Sequence, residues 1–338
     1  MNYSQILNQL INGQDLSFDV MQGVMHQVMS GALTPAQISA FLVALRIKGE
    51  TVDEIAAAAS VMRELSSKVN VEESRHLIDT CGTGGDGIQT FNVSTTSAFV
   101  AAAAGAKVAK HGGRSVSSIC GSADVLESLG VSVSQTPEQV ASCINKIGLG
   151  FMFAPNHHSA MKHSAPVRKE LGVRTMFNLL GPLTNPAHAK NQLLGVFSAN
   201  LTGKLAHVLK QLGSEHVMVV CGADGMDEIS FTGDTYVAEL KNGTVQEYVV
   251  NPQQFGMSLH ELSSIKVADA QQSKAMVLEV LSGKTGAARD IVLLNAGAAI
   301  YVAGLTPSLQ DGIATAAEVL DNGKAMQKLQ ELVSLTNA

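Results

Sequence analysis

Tryptophan is absent from the 338 residues, and aromatic side chains make up only 4% of them. Proteins that hold single-stranded nucleic acid stack its bases on aromatic side chains, so no such platform is expected here. Charged residues are also scarce, at 15%, and the net charge is −6 because 29 acidic side chains outnumber 23 basic ones. This balance argues against a broad nucleic-acid surface and against adhesion to anionic membranes.

Cysteine is scarce too, and none of the four cysteines forms a CxxC pair. The sequence therefore predicts neither a zinc site of that type nor a redox motif, but free thiols in a reducing compartment. The longest apolar stretch, residues 291–305, is interrupted by Asn295 and falls short of the ~20 residues that span a bilayer. Residues 1–15 lack the basic and apolar regions of a signal peptide. We expect a soluble cytoplasmic protein with no membrane partner.

Apolar residues make up 46% of the chain, which is enough for a large core, and its length suggests about two domains. The region before about residue 75 is typical of helices and has no strand pattern. Thr34, Thr51 and Thr136 are each followed three positions later by Gln or Glu, a spacing that predicts a capping box at the start of a helix. Apolar residues after Thr34 recur at helical spacing. The sequence therefore predicts an N-terminal helical region.

Short apolar or β-branched runs then alternate with helical stretches. The runs are residues 76–80, 107–110, 151–153, 192–197 and 216–221. This alternation predicts a mainly parallel sheet covered by helices. Residues 235–240 and 244–250, joined by Lys-Asn-Gly, predict a β-hairpin. The segment 166–186 is helical and then rich in Pro and Gly, which is typical of an excursion between domains.

Glycine is concentrated after the first predicted strand, since residues 82–130 contain nine of the 31 glycines. The sequence DTCGTGGDG at 79–87 can bring backbone N–H groups close to a phosphate, and a helix expected from Ser94 would favour negative charge at its N-terminus. The glycine spacing also matches a dinucleotide fingerprint, but lysines stand where that fingerprint needs an acid. No P-loop pattern occurs. The competing interpretation is a turn that only reverses the chain.

Three further clusters are candidates for binding phosphate or metal. The run 92–95 (NVST) places short polar side chains at the expected helix start, where they cap the helix or contact an anion or metal. Segment 110–118 (KHGGRSVSS) combines cations, glycines and hydroxyls at a strand end, where parallel sheets collect ligands. The pair Asp227-Glu228 suits Mg²⁺, which one or two carboxylates usually hold together with substrate phosphates. A solvated basic loop and a solvated acidic loop are the alternatives. Together the clusters favour a metal-bound ligand with more than one phosphate.

The segment 151–168 has a different character. It contains three histidines within seven residues, but no nearby Cys or carboxylate in the sequence that would support a metal site. A helix starting near His158 would carry Lys162 and Arg168 on neighbouring faces. The mixture of Phe, Met and Pro with cations suits a planar, negatively charged organic substrate.

Taken together, these motifs resemble those of the anthranilate phosphoribosyltransferase family over essentially the whole chain. The motifs, in order, are DTCGTGGDG at 79–87, FNVST at 91–95, KHGGRSVSS at 110–118, GSADVLE at 121–127, FAPNHHSAMKHSAPVRKELGVRTMFNLLGPLTNP at 153–186 and DGMDE at 224–228. Six motifs in the same order are far more specific than any one of them.

The resemblance implies an α/β fold with a small N-terminal helical domain and a larger domain with a mainly parallel central sheet. The helical domain would comprise residues 1–72 with 166–188 returning to it, and the α/β domain residues 73–165 and 189–338. The resemblance also implies a homodimer formed through the helical parts. The implied reaction, part of L-tryptophan biosynthesis, transfers the phosphoribosyl group of 5-phosphoribosyl 1-pyrophosphate to the amine of anthranilate, with Mg²⁺ as cofactor.

The resemblance assigns site residues by matching motif positions. Those implied for phosphoribosyl pyrophosphate are Gly82, Gly85, Asp86, Thr90, Asn92, Val93, Ser94, Thr95, Lys110, His111, Gly112, Arg114, Ser115, Val116, Ser117, Ser118 and Ser122. Those implied for anthranilate are Gly82, His111, His158 and Arg168, and those for the metal are Ser94, Asp227 and Glu228. Gly113 stands where the family often has Asn, so no contact is assigned to it.

Two alternatives share the implied fold. A pyrimidine nucleoside phosphorylase binds a single phosphate and needs no Asp-Glu metal pair, so the DGMDE and 153–186 motifs favour the transferase. A non-enzymatic relative that binds nucleic acid would need a basic groove, against which the net charge of −6 argues.

Overall fold

The structure, a computed structural model, describes residues 2–114 and 120–338. Its α-helices are α1 (Tyr3–Ile11), α2 (Phe18–Ser30), α3 (Pro35–Lys48), α4 (Val52–Glu64), α5 (Val93–Ala103), α6 (Ser122–Ser128), α7 (Pro137–Ile147), α8 (Ala154–His157), α9 (Ala165–Leu171), α10 (Phe177–Leu180), α11 (Thr202–Gln211), α12 (Ala270–Leu281), α13 (Ala287–Val302), α14 (Leu309–Asp321) and α15 (Lys324–Thr336). Short 3₁₀ helices occupy Ser159–His163, Gly181–Leu183, Ala199–Leu201, Pro252–Phe255 and Leu262–Ile265. The strands are β1 (Leu77–Gly82), β2 (Lys107–Gly112), β3 (Leu149–Phe153), β4 (Asn191–Gly195), β5 (His216–Gly222), β6 (Thr235–Lys241) and β7 (Thr244–Val250).

Helices α3, α4 and α7 begin at the predicted capping boxes. The N-cap residues Thr34, Thr51 and Thr136 each accept a hydrogen bond from the backbone N–H three residues later, and the side chain of that later residue accepts one from the threonine N–H. Each box satisfies two backbone donors that have no partner inside the helix. The three predicted helix starts are confirmed.

The seven strands form one sheet in the order β3-β2-β1-β4-β5-β6-β7. The pairs from β3 to β5 are parallel, and β6 and β7 add an antiparallel hairpin. Asn242 and Gly243 turn the hairpin with φ angles of 52° and 75°, the left-handed conformation that tight hairpin turns require. The predicted fold class, with a mainly parallel central sheet and an N-terminal helical domain, is confirmed.

The order of the strands creates a switch point beside β1. The chain moves from β1 outward through β2 to β3, and then returns to place β4 on the opposite side of β1. Loops after β1 and β4 therefore diverge at their carboxyl ends. Ligands of open α/β sheets bind in the crevice that opens at such a point.

Helices bury both faces of the sheet. Helices α5 and α12–α15 form one apolar cluster with the sheet, which includes Phe99 and Ile300. On the other side, α1–α4 and α11 form a second cluster that joins Phe41 and Phe177 to Val219 of β5. Phe177 lies in the segment that the sequence marks as an excursion, and it packs with the N-terminal helices. No helix of the described residues is long and apolar enough to cross a membrane.

The expected helix from His158 through Arg168 is wrong as a single helix. His158 has φ −122° and ψ 57° and ends α8, Ser159–His163 is a 3₁₀ helix, and α9 starts again at Ala165. Pro166 explains the break, because a proline inside a continuous helix would remove a backbone hydrogen bond and clash with the preceding turn, whereas the first turn tolerates it.

Candidate functional site

The glycine loop, residues 83–87, lies at the switch point. Gly82 at the end of β1 pairs with Gly195 at the end of β4, and the backbone N–H of Thr83 donates to the Gly195 carbonyl at 2.9 Å. Gly84, Gly85 and Gly87 have φ angles of 63°, 78° and 75°. Few side chains tolerate this conformation, so glycines let the loop turn sharply and expose its backbone N–H groups.

Asp227 approaches the glycine loop so closely that glycine is required at two positions. A Cβ on Gly195 would lie 1.5 Å from the Asp227 carbonyl oxygen, and a Cβ on Gly82 would lie 2.3 Å from Asp227 Oδ2. That same carboxylate oxygen accepts a hydrogen bond from the Gly84 N–H at 2.7 Å. The acidic pair after β5 is therefore built into the loop and is not a solvated surface turn.

Glu228 and Lys110 connect the loop to the start of α5. Glu228 Oε1 accepts a hydrogen bond from the Ser94 N–H at 3.1 Å. Lys110 is 3% exposed, and its Nζ donates to the Thr80 carbonyl and, at 3.2 Å, to Ser94 Oγ. Burial lowers the pKa of Lys110, and four acidic neighbours, Asp79, Cys81, Glu228 and Asp227, act in the opposite direction. The Lys110 ammonium and the Glu228 carboxylate thus meet at Ser94, next to the Asp227 carboxylate in the sequence.

The acidic side chains here have raised pKa values. Burial, and then the negative charge of Asp86, raise the pKa of Asp227 to about 7. Burial and Asp227 raise the pKa of Glu228 well above its ordinary value. Such a group of carboxylates is short of positive charge, and its oxygen donors are the ligands that Mg²⁺ prefers.

The protein alone does not complete a metal site. Among residues 2–114 and 120–338, no group of three or more His, Cys, Asp or Glu side chains is placed to hold a metal ion. This fits Mg²⁺, which protein carboxylates commonly share with substrate phosphates and water. The residues that would hold it are Asp227 and Glu228, with the Ser94 hydroxyl beside them.

The other residues predicted for phosphoribosyl pyrophosphate make contacts of several kinds. Asp86 Oδ1 accepts a hydrogen bond from the Ile88 N–H, and Thr90 pairs with Lys266 in an isolated β-bridge. Val93 is buried in the first turn of α5. Thr95 Oγ1 is buried as well and has no hydrogen-bond partner in the described part of the chain. The Asn92 side chain donates to the Cys120 carbonyl at 3.1 Å and accepts from Ser273 Oγ at 2.7 Å. A Cβ on Gly112 would lie 2.2 Å from Ser122 Oγ, so glycine there makes room for Ser122.

Arg114 forms ion pairs with two acidic residues of α6. Its guanidinium pairs with Asp124 at 2.9 Å and Glu127 at 2.6 Å and lies 5.6 Å from the Phe153 ring centroid. The side chain is half exposed, and its ion pairs hold it against α6. To bind a phosphate, it would have to break these ion pairs. The predicted residues Ser115, Val116, Ser117 and Ser118 lie outside the residues that the structure describes.

The histidines predicted for anthranilate lie against each other. The rings of His111 and His158 pack edge to face, 5.1 Å between centroids, and neither Nε2 has a hydrogen-bond partner within the described residues. Burial, followed by the neighbouring histidines, lowers the pKa of His111 to about 3 and that of His158 to about 4. Both imidazoles are therefore neutral at pH 7, with a polar nitrogen available to a ligand.

Arg168 lies in α9 with its guanidinium 5.2 Å from the Phe177 ring centroid. Burial lowers the pKa of Arg168, yet an arginine stays protonated. No carboxylate of the described chain forms an ion pair with it, including the nearby Glu170. The guanidinium is thus partly buried and still lacks an anion.

Arg174, which is not among the residues predicted from the sequence, contacts both the glycine loop and Phe197. Arg174 Nη2 donates to the Gly85 carbonyl, and the guanidinium lies 4.2 Å from the Phe197 ring centroid. Gly85 and Arg174 are 89 positions apart, and nothing local in the sequence links them. The only available signal was that Arg174 lies within the 153–186 motif.

Two family models match the chain. Residues 4–66 match the model described as glycosyl transferase family, helical bundle domain, and residues 74–326 the model described as glycosyl transferase family, a/b domain. The chain is 66% identical to the anthranilate phosphoribosyltransferase of Methylobacillus flagellatus over 98% of this chain and 97% of that one. It is 62% identical to the enzyme of Chromobacterium violaceum over 98% and 96%.

Solved structures give the same match in three dimensions. The anthranilate phosphoribosyltransferase of Thermus thermophilus superposes with a TM-score of 0.93 at 44% identity, covering 98% of this chain and 99% of that one. The Saccharomyces cerevisiae enzyme in complex with phosphoribosyl pyrophosphate and Mg superposes with a TM-score of 0.90 at 29% identity, covering 99% and 98%.

Proposed function

The chain belongs to the anthranilate phosphoribosyltransferase family, and we propose that it transfers the phosphoribosyl group of 5-phosphoribosyl 1-pyrophosphate to the amine of anthranilate. The products are N-(5-phosphoribosyl)anthranilate and pyrophosphate, a step of L-tryptophan biosynthesis. The observation that carries the proposal is that Lys110 and Glu228 both bond to Ser94, while Asp227 accepts a hydrogen bond from the glycine loop at Gly84.

This arrangement of charged groups and backbone donors suits the departure of pyrophosphate. The leaving group carries several negative charges, which must be neutralised as the bond to the sugar breaks. The Lys110 ammonium supplies one positive charge, and the backbone N–H groups of the glycine loop supply donors. Mg²⁺, when bound by Asp227, Glu228 and the diphosphate, supplies further neutralisation and fixes the diphosphate orientation.

Direct displacement fits the residues better than a covalent enzyme intermediate. An aromatic amine is uncharged at neutral pH and needs positioning more than a strong base. Cysteine is the readiest nucleophile in proteins, but burial raises the pKa of Cys81 well above its usual range and that of Cys221 to about 11. Buried thiols of this kind are inert. The sugar carbon would pass through a cation-like state between the two substrates.

The anthranilate carboxylate would bind Arg168. A planar guanidinium donates two parallel hydrogen bonds to a carboxylate, and Arg168 has no carboxylate partner in the described chain. His111 and His158 are neutral, so they would contact the ring or amine without competing as cations.

The domain boundaries, dimer and location are also proposals. We assign residues 1–72 and 166–188 to a helical domain, and 73–165 and 189–338 to an α/β domain, because Phe177 packs in the same cluster as the N-terminal helices.

A homodimer through the helical domain is supported by exposed apolar side chains there, above all Ile47 at 82% and Ile11 at 66%. A biosynthetic enzyme whose four cysteines are all free is expected in the cytoplasm.

The loss of anthranilate fluorescence tests the function. Wild-type protein should consume anthranilate only when phosphoribosyl pyrophosphate and Mg²⁺ are both present, and excess EDTA should stop the reaction. Full activity in EDTA would contradict the metal assignment. Cleavage of thymidine by phosphate would instead identify a pyrimidine nucleoside phosphorylase.

A further inference from the structure

Arg174 joins the two loops that leave the switch point. It lies on an exposed stretch between α9 and α10, and its Nη2 donates to the carbonyl of Gly85 in the loop after β1. Its guanidinium also stacks 4.2 Å from the ring centroid of Phe197, which follows β4. One side chain from the segment 166–188 therefore contacts both sides of the crevice.

Few other hydrogen bonds in the described chain hold the glycine loop. In the described chain, the α/β domain fixes it through Thr83 N–H to Gly195 and Gly84 N–H to Asp227. A Cβ built on Gly84 or Gly87 meets no atom within 4 Å. Glycines lose more conformational freedom on ordering than other residues. A loop without support would therefore lose this entropy when the substrate binds, which weakens the affinity.

We propose that Arg174 is a positioning residue for phosphoribosyl pyrophosphate: it holds the glycine loop in its binding conformation at Gly85, the residue after the one that Asp227 holds. This inference rests on the proposed function and deepens it, because it adds a residue that acts through the loop and does not itself touch the reacting atoms. It also ties the loop to the segment that carries Arg168, so that one stretch of chain serves both substrates.

The chemistry of arginine fits both contacts. A guanidinium can donate in its plane to a carbonyl while its face lies on an aromatic ring. A lysine can make either contact, but its ammonium has no planar face to stack on the ring. Methionine fills similar space but has no hydrogen-bond donor. Loop preorganisation affects affinity chiefly by reducing the entropy lost on binding. Removing Arg174 should therefore weaken the diphosphate substrate selectively.

The test compares Arg174→Ala, Arg174→Lys and Arg174→Met with Lys169→Ala, an exposed cation of the same segment, as the matched control. Calorimetric titration with phosphoribosyl pyrophosphate and Mg²⁺, without anthranilate, gives the affinity directly. We expect Arg174→Ala and Arg174→Met to weaken binding roughly tenfold, which is about 1.4 kcal/mol. Arg174→Lys should recover part of the loss, and Lys169→Ala should match wild type.

The steady-state constants and melting temperature separate positioning from a structural role. The KM for phosphoribosyl pyrophosphate should rise in Arg174→Ala while the KM for anthranilate and the melting temperature stay near wild type. Phe197→Leu, which weakens the stacking and removes part of the packing of Phe197 on the second apolar cluster, should give a smaller shift in this KM in the same direction. Unchanged affinity in Arg174→Ala, or an equal loss for both substrates with a lower melting temperature, would overturn the inference. Failure of wild type to bind phosphoribosyl pyrophosphate would instead refute the proposed function.

Discussion

The Ser94 N–H donates a hydrogen bond to Glu228 Oε1 at 3.1 Å, so a carboxylate from the loop after β5 caps the helix that begins beside the glycine loop. The N-terminus of a helix carries partial positive charge and unpaired N–H groups, which favour an anion at that place. Glu228 therefore has two roles: it completes α5, and it supplies an oxygen to the proposed Mg²⁺ site.

Two substitutions of Glu228 separate these roles. Glu228→Gln keeps an oxygen acceptor for Ser94 but removes the charge, so we expect a near-normal melting temperature and a clear rise in the Mg²⁺ concentration needed for half-maximal activity. Glu228→Ala removes the acceptor as well and should also lower stability by about 1 kcal/mol. Thermal unfolding and Mg²⁺ titration of activity measure the two effects. An unchanged Mg²⁺ requirement in both variants would remove Glu228 from the metal site.

Arg168→Ala should raise the KM for anthranilate. A charge-assisted hydrogen bond to the carboxylate contributes about 1.5–3 kcal/mol, or roughly 10- to 150-fold in affinity. The KM for phosphoribosyl pyrophosphate should change little, and Arg168→Lys should recover only part of the loss because lysine lacks the planar pair of donors. Lys162→Ala, a nearby exposed cation, is the matched control. If Arg168→Ala weakens both substrates equally, Arg168 supports the segment and does not bind the carboxylate.

Acid should destabilise the outer part of the sheet through Glu239. Burial acts to raise the pKa of Glu239, but hydrogen bonds from His216, Tyr248 and Tyr301 outweigh burial and lower the pKa to about 2. A carboxylate with a lowered pKa in the folded state stabilises the protein above its ordinary pKa of 4.5, and that stabilisation is lost as the pH falls toward 2. The stabilisation that depends on the Glu239 charge is at most about 3 kcal/mol.

Urea unfolding of wild type and Glu239→Gln across this pH range checks the effect. We expect wild type to be more stable at pH 6 and the difference to shrink steadily below about pH 4.5. A difference that is constant from pH 6 to pH 3 would show that the charge of Glu239 contributes nothing.

Ile47→Glu should break the proposed dimer. The side chain is 82% exposed in the single chain, so a charge there costs the monomer little, but buried in an apolar interface it would be expensive to desolvate. Sedimentation velocity should show wild type as a dimer and Ile47→Glu shifted toward monomer. Lys146→Glu, on α7 outside the helical domain, is the control. A wild type that sediments as a monomer would contradict the dimer directly.

Local patterns in the sequence were enough to predict most elements. The threonines at 34, 51 and 136 predicted three helix starts because a capping box depends on residues only three apart. The hairpin followed from Asn242 and Gly243, whose left-handed conformation the turn needs. The helix predicted from His158 is wrong because Pro166 is tolerated only in the first turn of a helix, so the helix that carries Arg168 starts at Ala165.

Long-range contacts could not be predicted from the residues by themselves. The order β2-β1-β4 at the switch point, and with it the meeting of Gly195 and Asp227, depends on how the whole sheet assembles. The motifs and the family resemblance supplied Asp227, Glu228 and Lys110 as site residues, but not the bonds that join Lys110 and Glu228 to Ser94 and Asp227 to Gly84. The contact of Arg174 with Gly85 had no local signal, and the resemblance only placed Arg174 inside the 153–186 motif.

The most direct test of the account is the stoichiometry of the reaction. Anthranilate consumption and pyrophosphate release should be measured together, by fluorescence and a coupled phosphate assay, with phosphoribosyl pyrophosphate and Mg²⁺ in excess. Transfer to the amine predicts one pyrophosphate for each anthranilate consumed, and no release when anthranilate is left out. Pyrophosphate release that continues at the same rate without anthranilate, or anthranilate that is never consumed, would contradict it.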